Sequence, residues 1–110
     1  MQASIRRAAR YNSRMPVSLT PRERAALKAR AHTLEPVVHI GQHGLTAAVV
    51  AEIDRALTAH ELIKVRAGAA DREGRAELLE AISARTDAAS VHSVGRVIVL
   101  WRPRPLDEDA

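Results

Sequence analysis

The chain has 110 residues, of which 46% are apolar and 27% are charged, a composition typical of one folded domain with a buried core. Because it contains no cysteine, a disulfide framework, a thiolate metal site and a cysteine nucleophile are excluded. No apolar run approaches the ~18 residues of a membrane helix, so we expect a cytoplasmic protein without membrane contact, and the net charge of +4 favours a polyanionic partner.

The two ends of the chain differ in charge from its middle. Residues 1–15 carry four arginines and no acid, and we expect residues 1–17 to form a flexible basic arm. An organellar transit peptide and a true start at Met15 are alternatives that the mass of the mature N-terminus distinguishes. We predict that residues 18–103 form the domain and that residues 104–110 form a mobile acidic tail.

The first helix is predicted to begin at Pro21, where Thr20 and Glu23 have the spacing of a capping box. It should run to about His32 and end before Pro36, which favours an extended backbone at the preceding residue. Its spacing divides the side chains into an inner set (Ala26, Leu27, Arg30 and Ala31) and an outward basic set (Arg22, Arg24 and Lys28).

A glycine loop follows the next element. Residues 37–40 predict a short buried strand, and Gly41-Gln42-His43-Gly44-Leu45 then lead to Thr46, a predicted helix cap. The helix after it has apolar residues at helical spacing: Val49, Val50, Ile53, Ala56 and Leu57. A helix start carries unpaired N–H groups and partial positive charge, and glycines before it allow an anion to approach bare backbone.

The second half of the chain predicts another strand, helix and hairpin. Residues 62–67 predict a strand with Ile63 and Val65 on one face and Lys64 and Arg66 on the other. Asp71 should cap a third helix that ends near residues 86–87, with Leu78, Leu79 and Ile82 buried. Two strands, 89–94 and 97–101, are joined by Gly95-Arg96, which has the glycine position of a type II′ turn.

These elements give the order α-β-α-β-α-β-β. We therefore predict a single α/β (α+β-like) domain with a four-stranded mixed sheet, parallel crossovers, an antiparallel final pair, and helices mainly on one face. Lys64 and Arg66 should lie on the other face.

Three segments of the chain together resemble the YhbY-like family of CRM domains, named for chloroplast RNA splicing and ribosome maturation. They are Leu19-Thr20-Pro21 with Ala31-His32, residues 36–46 with the Gly41–Thr46 loop, and residues 60–65; the closing hairpin, residues 94–102, resembles the family too. The resemblance covers about residues 18–103, although the family often has tyrosine at Trp101. It implies the fold of the C-terminal domain of translation initiation factor three and binding to large ribosomal subunit precursors, and plant relatives assist group II intron splicing.

The glycine loop has two interpretations, a tight turn that needs glycine for backbone reasons and a phosphate contact of the kind that a KH-type GxxG loop makes. The resemblance favours the second. A P-loop is excluded because two residues, and not four, separate the glycines. A dinucleotide fingerprint is excluded because the first glycine of G-x-G-x-x-G is absent. We expect no nucleotide or other cofactor.

The predicted RNA-binding residues are the loop residues Gly41, Gln42, His43, Gly44, Leu45 and Thr46 and the basic residues Arg22, Arg24, Lys28, Lys64 and Arg66. Each basic residue alone is more often a solvated surface charge, so their weight is collective. Contact with ~5 phosphates predicts a log–log salt slope of about −3.5. With Tyr11 and Trp101 as its only aromatic residues, the chain cannot rely on base stacking.

Neither a metal site nor catalysis is expected. His39 and His43 lie on different elements with no acid at ligand spacing, and no serine has a nucleophile setting. We therefore predict a monomeric, non-enzymatic protein that binds structured ribosomal RNA during large-subunit assembly. A protein-docking module for a ribosomal protein or assembly factor is the main alternative, and a small-anion-binding enzyme is a distant one.

Overall fold

The computed structural model describes residues 18–68 and 70–104 of the chain. Its helices and strands follow the predicted order. The helices are α1 (Pro21–Ala31), α2 (Ala47–His60) and α3 (Arg72–Thr86), and the strands are β1 (Pro36–His39), β2 (Leu62–Arg66), β3 (Ala89–Val94) and β4 (Val97–Trp101).

Each helix begins at the predicted cap. Thr20 and Glu23 form the complete capping box, in which the Glu23 N–H donates to Thr20 Oγ1 (3.1 Å) and the Thr20 N–H donates to Glu23 Oε1 (2.9 Å). Thr46 Oγ1 accepts from the Val49 N–H at 3.2 Å, and Asp71 Oδ1 accepts from the Gly74 N–H at 2.8 Å. These local bonds set the start of each helix because they satisfy donors that the helix itself leaves unpaired.

The four strands form one mixed sheet in the order β1-β2-β4-β3. β1 and β2 are parallel, and β4 is antiparallel to both of its neighbours. β3 therefore runs in the direction of β2 with β4 inserted between them, and β1 and β3 are the two edges. The predicted α/β fold class and mixed sheet are confirmed.

The β3–β4 hairpin has the predicted two-residue turn, with Val94 opposite Val97. Gly95 has a positive φ of 59° and Arg96 does not. This combination is that of a type II′ turn, since a type I′ turn requires a positive φ at both central residues.

Hydrophobic cores lie on both faces of the sheet. The larger core joins α2 and α3 to one face and contains the fully buried side chains of Ile53, Leu57, Ile63, Ile82, Ile98 and Leu100. Side chains alternate along a strand, so the second core lies on the opposite face under α1; it contains Leu27, Ala31, Leu62, Val91, Val99 and Trp101. Two of the three helices thus share one face, and α1 covers the other.

Two details differ from the sequence-based expectations. The first strand spans Pro36–His39 rather than residues 37–40, and it is not buried throughout: Val37 is 46% exposed and His39 is exposed. One face of β1 packs against α2 through Val38, whereas α1 lies over β2, β3 and β4, so the other face of β1 is left exposed. On α1, Ala26 and Arg30 are exposed, and the buried side chains of the helix are Leu27 and Ala31.

The predicted basic arm (residues 1–17, with Tyr11) and residues 105–110 of the predicted acidic tail lie outside the described residues. Arg104, at the start of that tail, is bound to the end of α2, where its backbone N–H donates to Glu61 Oε2 at 2.9 Å. Within residues 18–68 and 70–104, no helix has the length and apolar character needed to cross a membrane.

Candidate nucleic-acid interface

The glycine loop joins the end of β1 to the start of α2. The Ile40 N–H donates to the Arg66 carbonyl (2.8 Å), which fixes the entry to the loop beside β2. The Gly44 N–H donates to the Gly41 carbonyl at 3.1 Å, and the Thr46 N–H donates to the Gly44 carbonyl at 3.0 Å. Two successive tight turns therefore present residues 41–43 at the surface, where all three are exposed.

The two glycines of this loop have different backbone requirements. Gly44 has a φ of +73°, a conformation that side chains with a Cβ disfavour. Gly41 has no such φ, and a Cβ placed on it would meet no atom within 4 Å. The fold therefore explains why residue 44 is glycine, but it provides no internal reason for glycine at residue 41.

The start of α2 lies directly behind the loop. Its first turn leaves the N–H groups of Ala47 and Ala48 without an intrahelical acceptor, because Thr46 caps only Val49. The first turns of α1 and α3 each contain an acid, Glu23 and Glu73, whereas the first turn of α2 contains none. The partial positive charge at this helix end is thus not offset by an acid of its own first turn.

Of the predicted basic residues, Arg66 lies nearest the loop. It is the register partner of His39, at the end of β2 from which the loop leaves the sheet. Arg66 is exposed, and Lys64, two residues earlier on the same face, is half-buried. The structure therefore brings Arg66 to the glycine loop, with Lys64 behind it.

The basic residues of α1 lie elsewhere. Arg22, Arg24 and Lys28 are exposed, but Arg24 Nη1 donates to the carbonyls of Ser90 and Val91 on β3, the latter at 3.3 Å. β3 is the opposite edge of the sheet from β1, about 14 Å away at the usual strand spacing. The structure does not bring Arg24 to the loop, and part of its guanidinium is held by the fold.

The sequence analysis did not predict the contacts of two further arginines. Arg85 Nη1 donates to the Leu45 carbonyl at 3.4 Å, and Arg96 Nη1 donates to the Gly68 carbonyl (2.8 Å) just past the end of β2. Arg85 lies seven residues after Leu78 on α3, so helical spacing could have placed it on the packed side of that helix. Its contact with a loop 40 residues away has no signal in the sequence.

A groove separates the glycine loop from α3, and we refer to it as the loop–α3 groove. Its lining comprises Gly41, Gln42 and Gly44 from the loop and Ala70, Gly74, Glu77, Leu78 and Ala81 from α3 and the segment before it. Most of these side chains are small. Glu77 supplies the one carboxylate in this lining, and residues 41–43 of the loop are exposed.

The remaining ionisable cluster is structural and lies where α3 ends. Arg102 Nη1 donates to Asp54 Oδ1 (2.6 Å) and to the Thr86 carbonyl (2.8 Å), which ties β4 to α2 and α3. Burial raises the pKa of nearby Asp87 above its usual value of 3.8, against the opposing effect of Arg102. Among the residues that the structure describes, no group of three or more histidines or acids could hold a metal ion.

Comparison with known proteins places this fold and loop in a family. Residues 19–102 match the CRS1 / YhbY (CRM) domain. An RNA-binding protein of Haemophilus influenzae is 46% identical over 86 residues, which are 78% of this chain and 87% of that protein. A probable RNA-binding protein of Pseudomonas aeruginosa is 37% identical over 81% of this chain and 86% of its own length.

A solved structure agrees with the sequence relatives. The solution structure of a candidate RNA-binding protein from Staphylococcus aureus superimposes with a TM-score of 0.71 at 30% identity, covering 84% of this chain and 95% of that one. These relatives are named as RNA-binding proteins, in agreement with the expectation of a non-enzymatic protein for this chain. With the family match spanning α1 to β4, the chain belongs to the CRS1 / YhbY (CRM) domain family.

Proposed function

We propose that this protein is a non-catalytic, monomeric RNA-binding module that binds structured ribosomal RNA in precursors of the large ribosomal subunit. The family membership and the RNA-binding names of its relatives support the class of ligand. The observation that carries the proposal is Gly41, an exposed glycine for which the fold has no internal requirement. A ligand that must approach the backbone closely supplies that requirement.

The ligand at the loop is an RNA phosphate. The unpaired N–H groups at the start of α2 and the partial positive charge of the helix favour an anion, and no acid in the first turn competes for them. Gln42 and His43 are exposed beside the glycines and can add hydrogen bonds. Gly41 through Thr46 thus act as a seat for one phosphate of the backbone.

Basic side chains extend the contact to neighbouring phosphates. Arg66 lies beside the loop, Lys64 lies behind it, and Arg85 approaches it from α3. Trp101 is only 4% exposed and packs in the core under α1, so it is not available for base stacking. Recognition therefore depends chiefly on the RNA backbone and its shape.

The test introduces a negative charge at the site without backbone strain. We expect Gly41→Asp to reduce affinity for structured ribosomal RNA fragments by at least about tenfold, because a charge-assisted hydrogen bond is lost and a repulsion is added. Ala76→Asp is the matched control, since it adds the same charge on the exposed side of α3 away from the loop–α3 groove. Equal affinities of both variants, each with a native circular dichroism spectrum, would remove the loop from the mechanism.

A second candidate function is docking of a ribosomal protein or assembly factor. A shallow cleft between the ends of α1 and α2 contains Leu34 and Val37, which are 37% and 46% exposed, together with Arg30, Glu35 and His60. Exposed apolar side chains of this kind favour a protein partner. Pull-down of ribosomal particles at increasing salt distinguishes the two functions, because phosphate contacts weaken steeply with salt and apolar docking does not.

A further inference from the structure

The lining of the loop–α3 groove contains apolar and polar groups that the binding of a phosphate alone does not require. Ala70, Gly74 and Ala81 leave space in its lining, and Leu78 supplies an apolar surface. Gln42 and Glu77 supply the polar groups, a carboxamide on the loop side and a carboxylate on the helix side. Concave sites with apolar walls and a few convergent polar groups are typical of bound flat organic groups.

The Glu77 carboxylate is out of place in a site for phosphate alone. It repels the anion that the adjacent loop attracts, and it is not needed to neutralise a neighbour. Within residues 18–68 and 70–104, neither Glu77 nor Gln42 has a side-chain hydrogen bond or ion pair. A free carboxylate beside a phosphate site selects for a ligand group that carries hydrogen-bond donors.

We propose that the loop–α3 groove binds one unpaired nucleobase of the RNA and prefers guanine. This inference rests on the proposed function. The Watson–Crick edge of guanine presents two adjacent donors, N1–H and the 2-amino group, which match the two oxygens of a carboxylate. Adenine and cytosine each present one amino donor on that edge, and uracil presents one N–H between two carbonyls. The Gln42 carboxamide N–H can donate to guanine O6, the acceptor that completes the edge.

The position of the groove fits a single nucleotide. Gly41 and Gly44 belong both to the phosphate seat and to the groove lining, so a phosphate on the loop has its own base next to Leu78 and Glu77. The groove therefore adds a preference for one base to a contact that otherwise recognises only the RNA backbone. Glu77 acts as a specificity-determining residue, because its charge weakens the binding of RNA that has no unpaired guanine.

The test uses an RNA hairpin whose loop is uridine apart from one guanosine, with inosine in place of that guanosine as the comparison. Inosine lacks only the 2-amino group. We expect the protein to bind the guanosine hairpin about tenfold more tightly than the inosine hairpin in fluorescence anisotropy, from the loss of one charge-assisted hydrogen bond. Glu77→Gln should bind the two hairpins equally and should bind an all-uridine loop more tightly than the unsubstituted protein does.

Glu80→Gln is the matched control, because Glu80 is exposed on the same helix and does not line the groove. It removes the same charge and should retain the tenfold preference for guanosine. Equal binding of the guanosine and inosine hairpins by the unsubstituted protein, or a preference that Glu77→Gln retains, overturns the base pocket and leaves the proposed function standing. Failure to bind any hairpin or ribosomal RNA fragment overturns both.

Discussion

A methyl group at Gly41 would have open space on every side, whereas one at Gly44 would sit on a backbone with a φ of +73°. We expect Gly41→Ala to change the free energy of unfolding by less than about 0.5 kcal/mol, as is usual for an unstrained surface site. Gly44→Ala should lower it by about 1–2 kcal/mol. Urea denaturation measures both changes. RNA affinity should fall about fivefold in Gly41→Ala, because the methyl group keeps the phosphate from the backbone.

Gly95→Ala is the control for strain, since Gly95 has a similar φ of +59° but lies in the β3–β4 turn. It should lower stability as Gly44→Ala does and leave RNA affinity unchanged. A Gly41→Ala protein with lowered stability and full RNA affinity would mean that this glycine serves the fold.

Asp87 tests the effect of burial on a single charge. Its pKa is raised mainly by burial and also by Asp54, so the folded state disfavours the ionised form more than the unfolded state does. Stability is therefore lowered as the pH rises through and above 3.8, and it is recovered below that value, where Asp87 is protonated in both states. We expect Asp87→Asn to raise the melting temperature at pH 7, with a smaller gain at pH 3. Asparagine also accepts the left-handed φ of 63° at this helix end.

Asp54→Asn is the comparison variant, and it should lower stability at pH 7, whereas Asp87→Asn should raise it. Asp54 pairs with Arg102 at 2.6 Å, and its side chain is 55% exposed, so the substitution should lower stability at pH 7 by less than about 1 kcal/mol. If Asp87→Asn also lowered the melting temperature at pH 7, burial would not be the dominant effect on Asp87.

At the scale of elements, α1 is the helix that covers the second face of the sheet. Leu27 is 6% exposed and packs against the core that contains Trp101, whereas Leu34, just after the helix, is 37% exposed. We expect Leu27→Ala to lower the free energy of unfolding by about 2–4 kcal/mol, from lost burial and an unfilled cavity. Leu34→Ala makes the same chemical change at the surface and should lower it by less than about 1 kcal/mol. Similar losses in urea denaturation would show that α1 is loosely docked.

Local signals explain why most elements could be predicted from the sequence. Thr20, Thr46 and Asp71 cap helices through bonds to residues three positions away, and Gly95 sets its turn within the hairpin. Each of these interactions is complete within one segment of the chain. The order of the elements and the position of the glycine loop could therefore be predicted from these local interactions.

Contacts between distant segments could not be predicted in this way. Arg24 bonds to a strand 66 residues away and Arg85 to a loop 40 residues away, so their roles depend on the assembled sheet. The side of the sheet that α1 occupies also depends on packing, because its sequence has few apolar side chains to mark an inner face. The loop–α3 groove exists only once both of its walls are in place.

At the scale of the whole molecule, hydrogen bonds distinguish basic side chains that the fold holds, such as Arg24, from those for which we propose RNA contacts. Among the residues that the structure describes, we propose phosphate contacts for five exposed or half-buried cations: Arg22, Lys28, Lys64, Arg66 and Arg85. Five contacts with single-stranded RNA give a log–log salt slope of about −3.5, or roughly a 100-fold loss of affinity from 50 to 200 mM salt.

Arg66→Gln should bring that slope to about −2.8 and leave stability unchanged, since Arg66 has an exposed side chain beside the loop. Arg24→Gln should leave the slope unchanged and lower the free energy of unfolding by about 1 kcal/mol, because its bonds to the Ser90 and Val91 carbonyls are lost. Anisotropy titrations at four salt concentrations, with urea denaturation of each variant, measure both quantities. A reversed pattern, in which Arg24→Gln changes the slope and Arg66→Gln the stability, would move the RNA path from the glycine loop to α1.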